Sequence, residues 1–214
     1  MSARASLLTQ LVLAIFAFAF SAVLYPSLPE RVPTHWGLDG KPDAWGGAGS
    51  IFIMPMLMVG FMGLTLLLPR ISPKNYKLDA FGKTYFLIMV LVSGLLSVVH
   101  VAIAYSTVTG QVMLDRVVIA AIFAFIAILG NLMGTVRRNF FVGIRTPWTL
   151  ASERVWEATH RQAAWLWFFG GIVGALVSLL GVPMPATFAY LMILALAPVV
   201  QSYFIYRRLE GNKL

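Results

Sequence analysis

Cysteine is absent from the 214 residues, which removes disulfide frames, thiolate metal sites and thiol nucleophiles together. Charge is also scarce: 11% of residues are Asp, Glu, Lys or Arg, against roughly a quarter in ordinary soluble domains. No ionisable acid interrupts the long apolar runs, so a carboxylate cage spread over several helices has no source here. There is no long-period repeat, low-complexity tract or flexible linker. What is present is apolar, at 59% of the chain.

That composition belongs to an integral membrane protein. Six runs are long enough to cross a bilayer at about 20 residues each: Leu7 to Leu24, Ile51 to Leu68, Tyr85 to Tyr105, Val117 to Val136, Ala164 to Val182 and Ala186 to Tyr206. They are unbroken instead of alternating, which excludes a membrane β-barrel and leaves an all-α polytopic helix bundle. Ala17-Phe18-Ala19 imitates a signal-peptidase site, but the run continues past it and further spans follow, so the first segment is expected to stay.

The net charge of +8 would suit nucleic acid only on a soluble fold with a basic, base-stacking face, so direct nucleic-acid binding is not expected. Membrane topology accounts for it more simply. A cytoplasmic amino terminus puts Arg4, Arg70, Lys74, Lys77 and Lys83 inside, with Arg137, Arg138, Arg145, Arg154, Arg161, Arg207, Arg208 and Lys213. Only Arg31, Lys41 and Arg116 remain outside, so both termini are predicted to be cytoplasmic. The tryptophans agree, each lying in a loop or near a span end.

Two polar segments stand out. The external one, residues 26–50, holds prolines that fix φ and glycines that turn freely, and predicts an ordered, non-helical cap bearing His35, Trp36, Asp39, Asp43 and Trp45. His35, Asp39 and Asp43 are metal-capable, yet their four-residue spacing outside a helix is not expected to bring them together. The larger island runs from Arg137 to about residue 163. Thr146-Pro147 suits a helix start, predicting a short helix to Arg161 with Glu153, Trp156, Glu157 and His160 on one face and a Glu157–Arg161 pair.

Several chemistries can be read onto this island. Glu157-x-x-His160 has the spacing of di-iron bundles but lacks its second copy and partner carboxylates, so no metal or other cofactor is expected. Ser152, Thr159 and His160 could be drawn into a hydrolytic arrangement, without an oxyanion motif to complete it. An interfacial amphipathic helix, or a rigid display of Arg, Trp and Glu for a partner, uses the same residues. Within the spans, His100 shares a face with Ser93 and Ser97, and Asn131 is a second intramembrane polar residue. Gly130-x-x-x-Gly134 and Gly170-x-x-x-Gly174 flank the island with spacings that let helix backbones approach closely.

Gly130-Asn131-Leu132-Met133-Gly134, followed by Arg138-Asn139-Phe140-Phe141-Val142-Gly143-Ile144-Arg145-Thr146-Pro147-Trp148-Thr149-Leu150 and then Trp156 and Thr159-His160-Arg161, resembles the SdpI family of bacterial membrane proteins. Pro-x-His-Trp-Gly and Gly-Lys-Pro-Asp in the external loop resemble the amino-terminal membrane domain that accompanies that family. The resemblance implies a multi-pass protein of the bacterial cytoplasmic membrane, with residues 1–83 as that amino-terminal domain and 84–214 as an SdpI-like domain of four spans around the cytoplasmic loop 137–163. It further implies immunity to a secreted, membrane-active peptide toxin and, in some members, the holding of a cytoplasmic transcriptional repressor at the membrane. Carried over, the motif residues are Asn139, Gly143, Arg145, Thr146, Pro147, Trp148, Thr149, Trp156, His160 and Arg161. The residues themselves also leave open a membrane-embedded enzyme or transporter for lipid or a small solute, using His100 or the Glu153, Glu157, His160 face.

Overall fold

In the computed structural model, which describes residues 1–110 and 114–211, six helices are long and apolar enough to span a membrane. The chain is a multi-pass membrane protein. Its helices are α1 (Ala3–Leu24), α2 (Ile53–Ile71), α3 (Gly82–Thr109), α4 (Ile119–Met133), α5 (Pro147–Ala151), α6 (Glu153–Leu179) and α7 (Met184–Glu210). Lys213 lies outside the described residues. The spans match the predicted apolar runs, with most helices extending a turn or more beyond them.

The helices pack inside out compared with those of a soluble protein. Along α1 the buried positions are Ser6, Gln10, Ala14, Ala17 and Ser21, one stripe at helical spacing, while Leu8, Val12, Ile15 and Phe16 are exposed. In lipid this pattern is the stable one, because large apolar side chains lose nothing by facing acyl chains whereas small and polar ones gain by meeting another helix. Helices α1, α2 and α3 pack against one another, and α4, α6 and α7 form a second group in which α6 lies between its two neighbours. Tyr85, Ile88 and Met89 of α3 join the groups by meeting Met133, Val136 and Trp156 in one buried cluster.

Opposed ends of the spans carry the two polar segments. At one end β1 (Arg31–Trp36) pairs antiparallel with β2 (Pro42–Gly47), so the non-helical cap is a β-hairpin. Its tip turns at Gly40, whose φ of 75° favours glycine, and the Asp39 carboxylate accepts the Lys41 N–H at 3.0 Å. Trp36 packs against the buried pair formed by Ala102 of α3 and Val118, seating the hairpin on the bundle. The hairpin also corrects the spacing argument. Chain reversal carries Asp43 back beside His35, with 2.5 Å between carboxylate oxygen and Nδ1, and both side chains stay exposed. Asp39 remains at the tip on backbone duty, and among the described residues no three His, Asp or Glu side chains gather as a metal site.

Candidate functional site

The opposite end is organised by residues 134–152, which fold back between α4 and α6. Helix α4 stops at Met133 and the backbone passes through Val136, whose carbonyl accepts the indole N–H of Trp156 at 2.8 Å. Asn139, fully buried, then uses its whole amide. Its oxygen accepts the N–H groups of Phe141 and Val142, both at 2.7 Å, and its nitrogen donates to the carbonyls of Arg137 and Val142 at 2.8 and 2.9 Å. One side chain thereby satisfies a turn that no helix or strand supports.

Gly143 follows at φ 110°, a conformation that favours glycine. A β-carbon here would also collide with His160 Nε2 and press on the Trp156 ring, so the position needs glycine twice over. His160 is buried and stacks on Trp156 with ring centroids 4.0 Å apart. Its Nε2 accepts the Ile144 N–H at 3.0 Å and its Nδ1 donates to the Trp156 carbonyl at 2.8 Å. Accepting at one nitrogen while donating from the other defines a neutral ring, so this histidine works as a bracket between loop and helix.

Thr146 caps α5. Its hydroxyl accepts the Thr149 N–H at 3.3 Å while Thr149 Oγ1 accepts the Thr146 N–H at 2.9 Å, a reciprocal capping box with Pro147 at the first helical position. Thr149 Oγ1 also lies 2.8 Å from the Ile144 carbonyl, to which it donates. Trp148 reaches α7, donating to Ser202 Oγ at 2.5 Å and packing its ring on Tyr203. Ser152 breaks the helix and caps α6, and its hydroxyl donates to Glu210 at 2.9 Å.

Three expectations are corrected by this arrangement. The helix begun at Pro147 ends at Ala151, and the one bearing Arg161 continues into the fifth span, because Ser152 adopts extended backbone and starts a new N-cap. Glu157 pairs with Arg137 at 3.1 Å instead of Arg161, since the loop brings Arg137 across the helix. Glu153, Trp156, Glu157 and His160 do lie along one side of α6, but they are not displayed together: the fold-back covers the two ring residues and leaves the carboxylates exposed. The tryptophans consequently anchor the segment and are not displayed on it.

The motif residues therefore fall into two sets. Asn139, Thr146, Thr149, Trp156 and His160 are buried and, with the half-buried Gly143, hold the fold-back, while Trp148 ties it to α7. Arg145, Pro147 and Arg161 stand on the surface, joined there by Arg154. The hydrolytic arrangement does not form, because Ser152 is committed to Glu210 and both nitrogens of His160 are occupied by backbone. His100 lies in the spans, far along α3, with Nε2 3.1 Å from Ser21 Oγ of α1. Asn131 is exposed in the last turns of α4 instead of facing the interior. Ser202 and Glu210, which complete the site from α7, went unnoticed in the sequence; Ser202 continues the buried stripe of Thr187, Leu191, Leu194 and Pro198, the signal that could have found it.

Residues 135–202, the fold-back with α6 and most of α7, match the SdpI/YfhL protein family. Over these residues, about a third of the chain, it is similar to that family. Residues 12–59, from within α1 through the hairpin into α2, match a domain of unknown function, DUF1648. The immunity protein SdpI of Bacillus subtilis is 28% identical over 207 residues, spanning 95% of this chain and 97% of that protein. A protein of Archaeoglobus fulgidus is 25% identical over 168 residues, 64% of this chain and 92% of its own. No solved structure matches.

Proposed function

We propose that this protein is an immunity protein of the bacterial cytoplasmic membrane, protecting the cell that makes it against a secreted, membrane-active peptide toxin. The observation that carries the reading is the end-to-end similarity to the B. subtilis immunity protein, which includes both the hairpin and the fold-back. In this reading the hairpin end faces outward and the fold-back faces the cytoplasm. Charge supports that orientation: the hairpin end carries Arg31, Lys41 and Arg116, whereas Arg4, Arg70, Lys74, Lys77, Lys83 and the loop arginines cluster at the other. The exposed side of the hairpin, with Trp45, His35 and Asp43, would meet the peptide first.

The division into an amino-terminal membrane module, 1–83, and an SdpI-like module, 84–214, belongs to the same proposal, with α3 as the joining element because it packs on α1 and α2 and also reaches the cluster under Trp156. Arg145, Arg154 and Arg161, outward on a braced scaffold, are the surface we assign to a cytoplasmic repressor where one is present. The test is complementation. Expressed in a B. subtilis strain lacking its immunity protein and challenged with the toxin that strain no longer resists, this chain should restore survival. Unchanged killing at matched membrane expression would overturn the reading.

A further inference from the structure

A run of neighbouring recesses that share lining residues leads from the motif end to the outer surface of α4 and α6. It begins at a basic cleft of about 400 Å³ lined by Lys74, Lys77, Arg137 and Arg138, with Glu153 at its edge. Ala80 and Arg137 are shared with a second recess of about 500 Å³, bordered by Asp79, Lys83, Thr84, Gly134 and Thr135. The amino-terminal ammonium group adds positive charge nearby, donating to the Lys83 carbonyl at 3.3 Å. Arg137 is paired with Glu157, and Arg138 donates to the Leu150 carbonyl, but among the described residues no ion pair reaches Lys74, Lys77 or Lys83. The cleft holds more cations than the two nearby acids, Asp79 and Glu153, can balance.

Gly134 leads out of this cleft. A β-carbon there would meet nothing within 4 Å, so this half of the Gly130-x-x-x-Gly134 pair does not serve helix packing. It opens on a third recess with Asn131, Trp165 and Phe168, and Asn131 and Phe168 continue into an apolar groove along Ala127, Ile128, Ile172 and Leu176. From Gly134 to Ala124 at the groove's far end is ten residues of helix, about 15 Å, half the roughly 30 Å hydrocarbon core and so the depth of one leaflet. Charge, then a polar neck, then an apolar trough of leaflet depth is the order of parts in a phospholipid.

We propose that this run binds one anionic glycerophospholipid from the leaflet at the motif end. The lysines and arginines of the cleft take the phosphate-bearing headgroup, Asn131 donates to an ester carbonyl at the neck, and an acyl chain lies along Ile128, Phe168 and Leu176. The occupant accounts for an amide exposed toward lipid near the end of a span and for three unpaired lysines beside a membrane surface.

Native mass spectrometry of the detergent-purified full chain, offered equal dioleoyl phosphatidylglycerol and dioleoyl phosphatidylethanolamine, tests this. Retention of phosphatidylglycerol should exceed that of phosphatidylethanolamine by at least about tenfold. At about fivefold per lysine, the combined Lys74→Gln, Lys77→Gln and Lys83→Gln variant should weaken it by roughly a hundredfold. Gly134→Leu, at a position where an added Cβ meets nothing within 4 Å, should block it with thermal stability unchanged. Lys41→Gln at the hairpin should leave it alone. Equal retention of the two lipids would overturn the proposal, as would wild-type binding by Gly134→Leu. Competition by glycerol 1-phosphate as strong as by the lipid would show a free-phosphate site instead, and the same result with an acidic peptide would show a protein-docking surface.

Discussion

The two three-helix groups solve the same problem with different chemistry. Between α1, α2 and α3 the small Ala14 and Ala17 meet Met58, and polar side chains add hydrogen bonds: Gln10 of α1 accepts from Thr65 of α2 at 3.0 Å, Ser6 of α1 donates to the Phe86 carbonyl of α3, and Tyr85 of α3 donates to the Thr65 carbonyl at 3.1 Å. Between α4 and α6 the contact is backbone against backbone. Gly130 faces Phe168 N and Ala164 O, and Gly171 faces Ala127 N and Phe123 O. With lipid on the outside there is no hydrophobic force to bring helices together, so association rests on hydrogen bonds in one group and close approach in the other. The close-packed group is the one that clasps the fold-back, where a shift of α6 would break the His160–Ile144 and Trp156–Val136 hydrogen bonds together.

This contrast predicts an order of damage. Gly171→Leu should be worst, because a β-carbon would already sit 2.6 Å from Ala127 N and Phe123 O, backbone atoms that cannot move alone; we expect about 3 kcal/mol of destabilisation or failure to fold. The measurement is thermal unfolding in detergent beside Gly134→Leu, which should unfold like the wild type. Asn139→Ala should cost about 2 to 3 kcal/mol by orphaning buried backbone groups at both ends of the turn, and hydrogen exchange should then rise at Phe141 and Val142 first. Gln10→Leu in the polar group should cost only about 1 kcal/mol, since isolated hydrogen bonds between helices in lipid are modest. A Gln10 loss as large as the Gly171 loss would erase the distinction between the groups. Smallest of all, Glu157→Gln should change stability by about 0.5 kcal/mol or less, because its pair with Arg137 is half exposed to solvent.

The number of spans, their approximate limits and the two polar segments were legible because apolar runs of bilayer length have few alternative readings. The Gly130 and Gly170 spacings pointed to the right helix pair for a partly different reason: Gly130, Gly171 and Gly174 make the α4–α6 contact, Gly170 faces Leu194 and Tyr190 of α7, and Gly134 faces no neighbour. His160 and Trp156 were legible as motif residues but not as interior ones. Helical periodicity put them beside Glu153 and Glu157, and only the return of residues 139–144 over that helix decides which of the four are covered. The His35–Asp43 pair was missed because hairpin register, unlike helix spacing, depends on where the chain turns. Gln10 and Ser202 gave little signal singly, since a polar residue in a span shows its partner only when the facing helix is known.

The account rests on the hairpin and the fold-back lying on opposite sides of the membrane, hairpin outward. Absence of native cysteine makes this directly measurable. Thr149 is buried, so reporters belong on exposed positions: Arg145→Cys in the fold-back and Leu38→Cys at the hairpin tip. In intact cells a membrane-impermeant maleimide should label Leu38→Cys and spare Arg145→Cys until the membrane is permeabilised. Labelling of Arg145→Cys in intact cells, with Leu38→Cys protected, would contradict the account.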